Sequence, residues 1–361
     1  MTKRRPIDIQ REAAITLMVE DEEDPSPVKG FISTSNALYV FKEESIYKVQ
    51  LADDIDPGRT NYDIPNLNQK ILPAGENNEV VARVLLTTKC LFDENNATVS
   101  PFVGAFLEQS IYLTKHILEL QEMIYNLRYK IIQKEEIFKK KEYNINNFSL
   151  PFVSGLDQEL HNILVKADRA KDSILALYRL HFFPEGKKKP NMDDSSENGW
   201  KTSEHCHRIY GGHEKSNEYD VVINDKLLSK PDILAGWNET IMVLRLIRNI
   251  RNASEHRRDG NQLRAQDFEM QPDGSINSPI VGIEHKDTPI EPIQVVDFLD
   301  LIDNMILDHA EGSIVTIRCA VLLDNNPFNE QVGYLPAEKR RHPLVRYCRL
   351  VNLDGEMRIL G

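Results

Sequence analysis

The chain has 361 residues, 41% of them hydrophobic and 28% charged, with a formal net charge of -12. That length accommodates two domains, or one with a long insertion. The composition is that of a globular protein, and the acidic balance excludes one that coats nucleic acid through bulk charge.

No apolar run approaches the ~20 residues that span a bilayer, and the first segment lacks the apolar core of a signal peptide, so no membrane partner is expected. Cys90, Cys206, Cys319 and Cys348 lie far apart with no CxxC spacing. That pattern points to reduced thiols and a cytoplasmic location.

Residues 1–30 are polar, with an acidic run from Glu20 to Asp24 followed by Pro25 and Pro27, and read as a flexible arm. Residues 31–100 read as a β-rich segment. Ala37 to Phe41 and Ile46 to Leu51 form two strands about a short turn, Asp53 to Asn78 is loop, and the β-branched run Val80 to Thr87 is another strand.

After Pro101 the period changes. Phe106, Leu113, Leu120 and Leu127 repeat every seven residues, as do Ser110, Ile117, Ile124 and Ile131. The interleaved series makes an a/d seam on a helix of roughly 40 residues. Leu156, Leu160, Ile163, Ala167, Ala170, Ile174 and Leu177 keep the same steps of four and three. The two helices should pack as a long antiparallel hairpin. Such stripes are core packing and imply no cofactor.

Residues 184–230 read as a polar excursion. A third helix runs from Pro231 to Glu255, with Leu234, Trp237, Ile241, Leu244 and Ile247 or Ile250 inward, and Asp259-Gly260 stops it. A fourth spans Pro292 to His309, with Val295, Phe298, Leu299, Ile302 and Ile306 on one face. The helical domain is placed at 101–312 and a C-terminal β segment at 313–361. In the latter, Ile314 to Leu322 and Leu344 to Leu353 read as strands, and Met357 to Leu360 closes a terminal hairpin. Either the two terminal β segments share one module with the helical domain inserted, or they are independent units. The class is α+β, mainly α.

One segment carries chemistry. Arg251-Asn252-Ala253-Ser254-Glu255-His256 ends the third helix, and Leu244 to Arg258 holds Arg245, Arg248, Arg251, Arg257 and Arg258 against one acid, a local +4 in an acidic chain. A guanidinium grips two phosphate oxygens in a fork. An imidazole can take or give a proton near neutrality. The Asn252 amide can bond a phosphate oxygen or orient the ring. These groups suit cleavage of RNA by its own 2′-hydroxyl without a metal. At ~100° per residue, Asn252 and His256 share a helical face, whereas Arg251 and His256 stand ~140° apart. The helix must therefore end between them, or two copies must meet across a two-fold axis.

Arg251-Asn252-x3-His256 at the end of a bundle helix resembles the signature of the HEPN superfamily: Arg with a polar residue directly after it, then His after four to six intervening residues. The resemblance covers roughly Pro101 to Gly312 and leaves the β segments outside. It implies a HEPN-like helical bundle that dimerises and cleaves RNA without metal or cofactor, often as a bacterial toxin or anti-phage effector restrained by an antitoxin or other regulatory protein. Arg251 and His256 match its catalytic pair and Asn252 its polar position. Arg245, Arg248, Arg257 and Arg258 are the candidate RNA contacts. Some toxin members carry a Tyr two places after the His, where a partner modifies them; this chain has Arg258 there.

Other signals are weaker. His205-Cys206-His207 with His213 has donor atoms for zinc but no second ligand pair at a familiar spacing, and reads as polar loop. Lys339-Arg340-Arg341-His342, with Arg346 and Arg349, is a second basic patch and reads as a solvated edge. Glu255 either orients His256 or faces solvent. His285 and His309 read as structural or exposed.

Overall fold

The computed structural model describes residues 5–12, 21–34, 37–92, 101–140, 149–182, 231–256, 260–324, 326, 328–353 and 356–360. The described chain is mainly helical with several small antiparallel sheets, an α+β architecture. It divides into two compact units, one of residues 1–111 and 326–361, the other of residues 112–325.

In the first unit, α1 (Pro6–Glu12) precedes a meander of β1 (Gly30–Ser33), β2 (Leu38–Phe41), β3 (Ile46–Gln50) and β4 (Leu67–Leu72), each antiparallel to the next. Ile32, Val40, Phe41 and Ile46 are fully buried in it. A short α2 (Ala52–Ile55) and β4 occupy the stretch read as loop. The segment 21–30 departs from a flexible arm. Asp24 is 1% exposed, its carboxylate accepts the Glu44 amide at 3.2 Å, and its backbone carbonyl accepts the buried Lys42 ammonium. Asp21 accepts the Tyr47 hydroxyl and lies 3.0 Å from Lys70 Nζ, and these bonds hold its carboxyl well below the usual range.

Val80 to Thr87 is a helix, not a strand. A π-helical turn (Val81–Leu86) runs into α3 (Thr87–Phe92), and Val80, Val81, Val84 and Leu85 are all fully buried. Burial without alternation removes the reason for a strand. Gly75 supports this entry: a Cβ there would lie 2.2 Å from the Lys42 carbonyl oxygen, so only glycine lets the chain pass. Gly75→Ala is expected to lower stability by about 1–3 kcal/mol, measured as a drop in the urea midpoint with m unchanged. The unit's second sheet is β10 (Glu330–Tyr334), β11 (Tyr347–Leu353) and β12 (Glu356–Leu360), and α3 packs on β11. The N- and C-terminal strands thus belong to one unit but to separate sheets.

The unit boundary at residue 111 falls inside α4 (Pro101–Lys139). The second unit packs the rest of α4 with α5 (Leu156–Phe182), α6 (Pro231–Glu255) and α7 (Val295–Asp324). The seam from Leu113 to Ile131 is at most 2% exposed, and its counterpart on α5 is equally inward. Ion pairs Glu119–Lys166 and Lys130–Glu159, both 2.6 Å, fix α4 and α5 antiparallel. Tyr178 against Trp237 and His161 against Ser254 set α6 antiparallel to α5. Thr240 with His309, and Gly236 beside Thr316, do the same for α7 against α6. The result is an up-down-up-down bundle.

Ile314 to Leu322 is not a strand, and no boundary falls at Gly312. It is the second half of α7, where Ala310, Ile314 and Ile317 continue the buried row of Ile302 and Ile306. The second unit also holds strands between its helices: β5 (Gln262–Gln266), β8 (Ile280–Glu284) and β9 (Ile290–Gln294) form one sheet, β6 (Glu269–Met270) and β7 (Ile276–Asn277) a small ladder. The 101–312 region is therefore not purely helical. β9 runs directly into α7, and β5 follows α6 after a turn at Gly260, whose φ of +72° suits glycine. The sheet thus lies at the bundle end where α6 stops.

Among the described residues, no helix is long and apolar enough to cross a membrane.

Candidate functional site

The last turn of α6 builds the site. The helix is held by Trp237, Ile241, Leu244, Ile247, Ile250 and Ala253, all buried, which turns Arg245, Arg248, Arg251 and Asn252 to half-buried positions at its flank. The helix ends at Glu255 and His256 lies one residue beyond, in a bend. His256 still closes an i to i-4 bond, its amide donating to the Asn252 carbonyl at 2.8 Å, and Asn261 Nδ2 donates to the His256 carbonyl at 3.2 Å. The backbone at the imidazole is therefore fixed from both sides.

The helix end resolves the angular problem posed by the spacing. Arg251 Nη1 lies 2.6 Å from Glu255 Oε2, and the same oxygen is 3.6 Å from His256 Nε2. Guanidinium and imidazole thus meet on one carboxylate within a single chain. Arg251 Nη1 also donates to Asn252 Oδ1 at 3.3 Å. The side chains are 29% exposed at Arg251, 35% at Glu255 and 56% at His256, so all three face solvent. The ion pair leaves the group short of uncompensated positive charge, so an anion bound at Arg251 would have to share or displace Glu255.

Two further residues join the site through space. Ser254 Oγ donates to the Arg251 carbonyl at 2.7 Å and lies 3.1 Å from His161 Nδ1 on α5. The Ser254 proton is spent on the Arg251 carbonyl, so in the His161 contact the hydroxyl oxygen accepts. No spacing in the sequence connects residue 161 to residue 254; only the antiparallel packing of α5 and α6 does. The role of Glu255 was legible as a neighbour of His256 but not as the group that binds Arg251.

Arg257 and Arg258 lie outside the described residues, as do His205, Cys206, His207 and His213. Among the described residues no group of three or more His, Cys, Asp or Glu side chains could hold a metal ion. His309 meets Thr240 Oγ1 at 3.4 Å, with burial lowering its affinity for a proton, and His285 meets Thr288 Oγ1 at 3.1 Å. Both have structural partners and stand apart from the 251–256 segment in sequence and in bonding.

The second basic patch does not behave as a uniform solvated edge. Arg340 folds back to donate to the Leu335 and Pro343 carbonyls at 2.8 and 3.0 Å and to the Tyr334 hydroxyl at 2.9 Å. Its neighbours Lys339 and Arg341 line a cavity in the first unit.

No protein-family model, curated protein or solved structure matches the chain.

Proposed function

We propose that the chain is a metal-independent endoribonuclease of the HEPN type, working on RNA as a toxin or anti-phage effector. The observation that carries this reading is the meeting of Arg251 and His256 on one carboxylate oxygen at an exposed helix end.

The chemistry follows from the groups. A ribose 2′-hydroxyl attacks its own 3′-phosphorus, and the bond to the 5′-oxygen breaks. The products are a 2′,3′-cyclic phosphate and a free 5′-hydroxyl, with no water consumed in this step. His256 moves the proton between the attacking and leaving oxygens. Arg251 grips the non-bridging oxygens as their charge grows, with Asn252 beside it and Arg245 and Arg248 along the strand. Glu255 holds the Arg251 fork and the ring in register until phosphate takes its place on the guanidinium.

The test is incubation of the full chain with total RNA, with and without EDTA. Cleavage that persists in EDTA and leaves 2′,3′-cyclic ends supports the reading. Cleavage abolished by EDTA would overturn it and turn attention to a metal mechanism. Glu255→Gln is expected to lower the rate on the order of tenfold, the worth of one charge-assisted bond. The rate is measured under single-turnover conditions; an unchanged or faster rate would show Glu255 to be a bystander or a restraint.

A second reading, a module that holds RNA without cutting it, draws on the Arg251–Glu255 ion pair, which already occupies the cation. It requires RNA to shift in a mobility gel with no product formed. In either reading the chain pairs with itself through a face other than the a/d seam, since that seam is consumed inside the bundle. Sedimentation of the purified chain measures the pairing.

A further inference from the structure

The outward side of α4 carries a surface that the bundle does not use. Its two edges are taken by neighbouring helices. On one edge Glu119 and Lys130 pair with Lys166 and Glu159 of α5, both at 2.6 Å. On the other, Arg128 pairs with Asp300 of α7, and Gln121 Nε2 donates to Asp303 Oδ1 at 2.9 Å. Between these edges, at ~100° per residue, Leu118, Glu122, Tyr125, Tyr129, Ile132 and Glu136 fall within about 40° of one line, on the far side from the buried seam.

The stripe is aromatic at its centre and open to solvent. Tyr125, Tyr129 and Ile132 are 63%, 54% and 40% exposed. The two tyrosine rings stack on each other, with centroids 6.3 Å apart and planes at 17°, so each limits the other's freedom before any partner arrives. Tyrosine is enriched where proteins meet, because it covers a large apolar area and loses few rotamers on burial. Large side chains exposed in one row, rather than scattered singly, mark an interaction surface.

The charges along the stripe select its occupant. Lys115 flanks its start, Glu122 lies within it, and Glu136 and Lys140 close it, two cations against two acids. Arg128 and Lys130 beside it are engaged in the pairs above. Such a face offers no excess of positive charge to a phosphate backbone. It is instead complementary to itself. A second α4, laid antiparallel across a two-fold axis near Tyr125, sets Lys115 against the partner's Glu136 and Glu122 against the hydroxyl of the partner's Tyr129, and the symmetry repeats both contacts. A parallel pair would set each charge against its own kind. Within its own chain Lys115 lies in electrostatic reach of Glu119, which Lys166 already bonds at 2.6 Å, and Glu136 keeps an exposed contact with Lys140 at 3.7 Å.

We propose that the outward face of α4 is a homodimer interface, in which the Tyr125–Tyr129 stripe packs antiparallel on the same stripe of a second copy and Lys115 pairs with the partner's Glu136. This supplies the face for self-pairing that the buried seam does not. The surface is argued from α4 alone, and its test involves no RNA, so it stands or falls apart from the ribonuclease reading.

Sedimentation equilibrium of the full chain at low salt tests it. The parent is expected to form a reversible dimer, weakened about tenfold or more in Tyr125→Arg/Tyr129→Arg. Lys115→Glu alone and Glu136→Lys alone each set like charges together at both symmetric contacts, and each should weaken pairing on the order of fivefold. A mixture of those two variants should pair as tightly as the parent, because each chain then meets the opposite charge on the other. All four side chains are exposed, so far-UV circular dichroism should not change. The proposal is overturned if the parent sediments as a monomer at about 100 μM, a concentration that populates a specific interface of micromolar Kd. It is also overturned if the tyrosine variant pairs as the parent does, or if mixing the two charge variants restores nothing.

Discussion

His256→Ala is expected to reduce RNA cleavage by about 10²- to 10⁴-fold, the worth of a positioned acid–base group. The fold should not change. The side chain is 56% exposed and lies past the last helical residue, where substitutions usually cost under ~0.5 kcal/mol. Its backbone bonds, to Asn252 and Asn261, survive the substitution. Cleavage of a labelled oligonucleotide under single-turnover conditions gives the rate, and far-UV circular dichroism gives the fold. If the variant cuts as fast as the parent, the imidazole plays no part and the ribonuclease reading goes with it. If cleavage is lost together with the helical signal, the result speaks only to stability; His256→Gln, which keeps a polar side chain of similar length, then separates the two.

The largest effect on stability belongs to Trp237→Ala, at about 3–5 kcal/mol. Trp237 is 1% exposed and meets the Tyr178 ring edge-on at a centroid distance of 4.5 Å. It joins α6 to α5, and one turn on, Thr240 joins α6 to α7. An indole removed there leaves a void that rigid neighbours cannot collapse into, and the edge-to-face contact is lost with it. Urea unfolding followed by far-UV circular dichroism should show the bundle transition at lower urea with an unchanged slope. A loss below ~1 kcal/mol would mean that α6 is not anchored at this position. The site depends on that anchor, since Trp237 and Ile250 belong to the same buried row that aims Arg251.

The four bundle helices were legible because each repeats its apolar residues at helical spacing and each row is buried as expected. The errors share a cause. Ile314-Val315-Thr316-Ile317 and Val80-Val81 are β-branched runs whose residue preference favours strands, against the helical period of their neighbours. In α7 the steps from Ile302 through Ile306, Ala310 and Ile314 carry the helix on, and packing against the bundle overrides propensity. The strands β5, β8 and β9 are hidden for the opposite reason: each is five residues long, and Pro292 interrupts the last, which Pro289 precedes. The Arg251, Asn252 and His256 constellation was visible as a motif. The carboxylate that joins its two ends, and the His161 contact through Ser254, belong to three-dimensional packing and left no trace in spacing.

The interior ammonium of Lys42 gives the start of the chain a weight that its polar composition conceals. That cation rests on the carbonyl of Asp24, and the Asp24 carboxylate in turn caps the Glu44 amide. A chain shortened to begin at Phe31 would lose more than a tail, because it would take acceptors away from a buried charge and an amide in the turn between β2 and β3. Trimming the opening thirty residues is thus a core mutation made from outside.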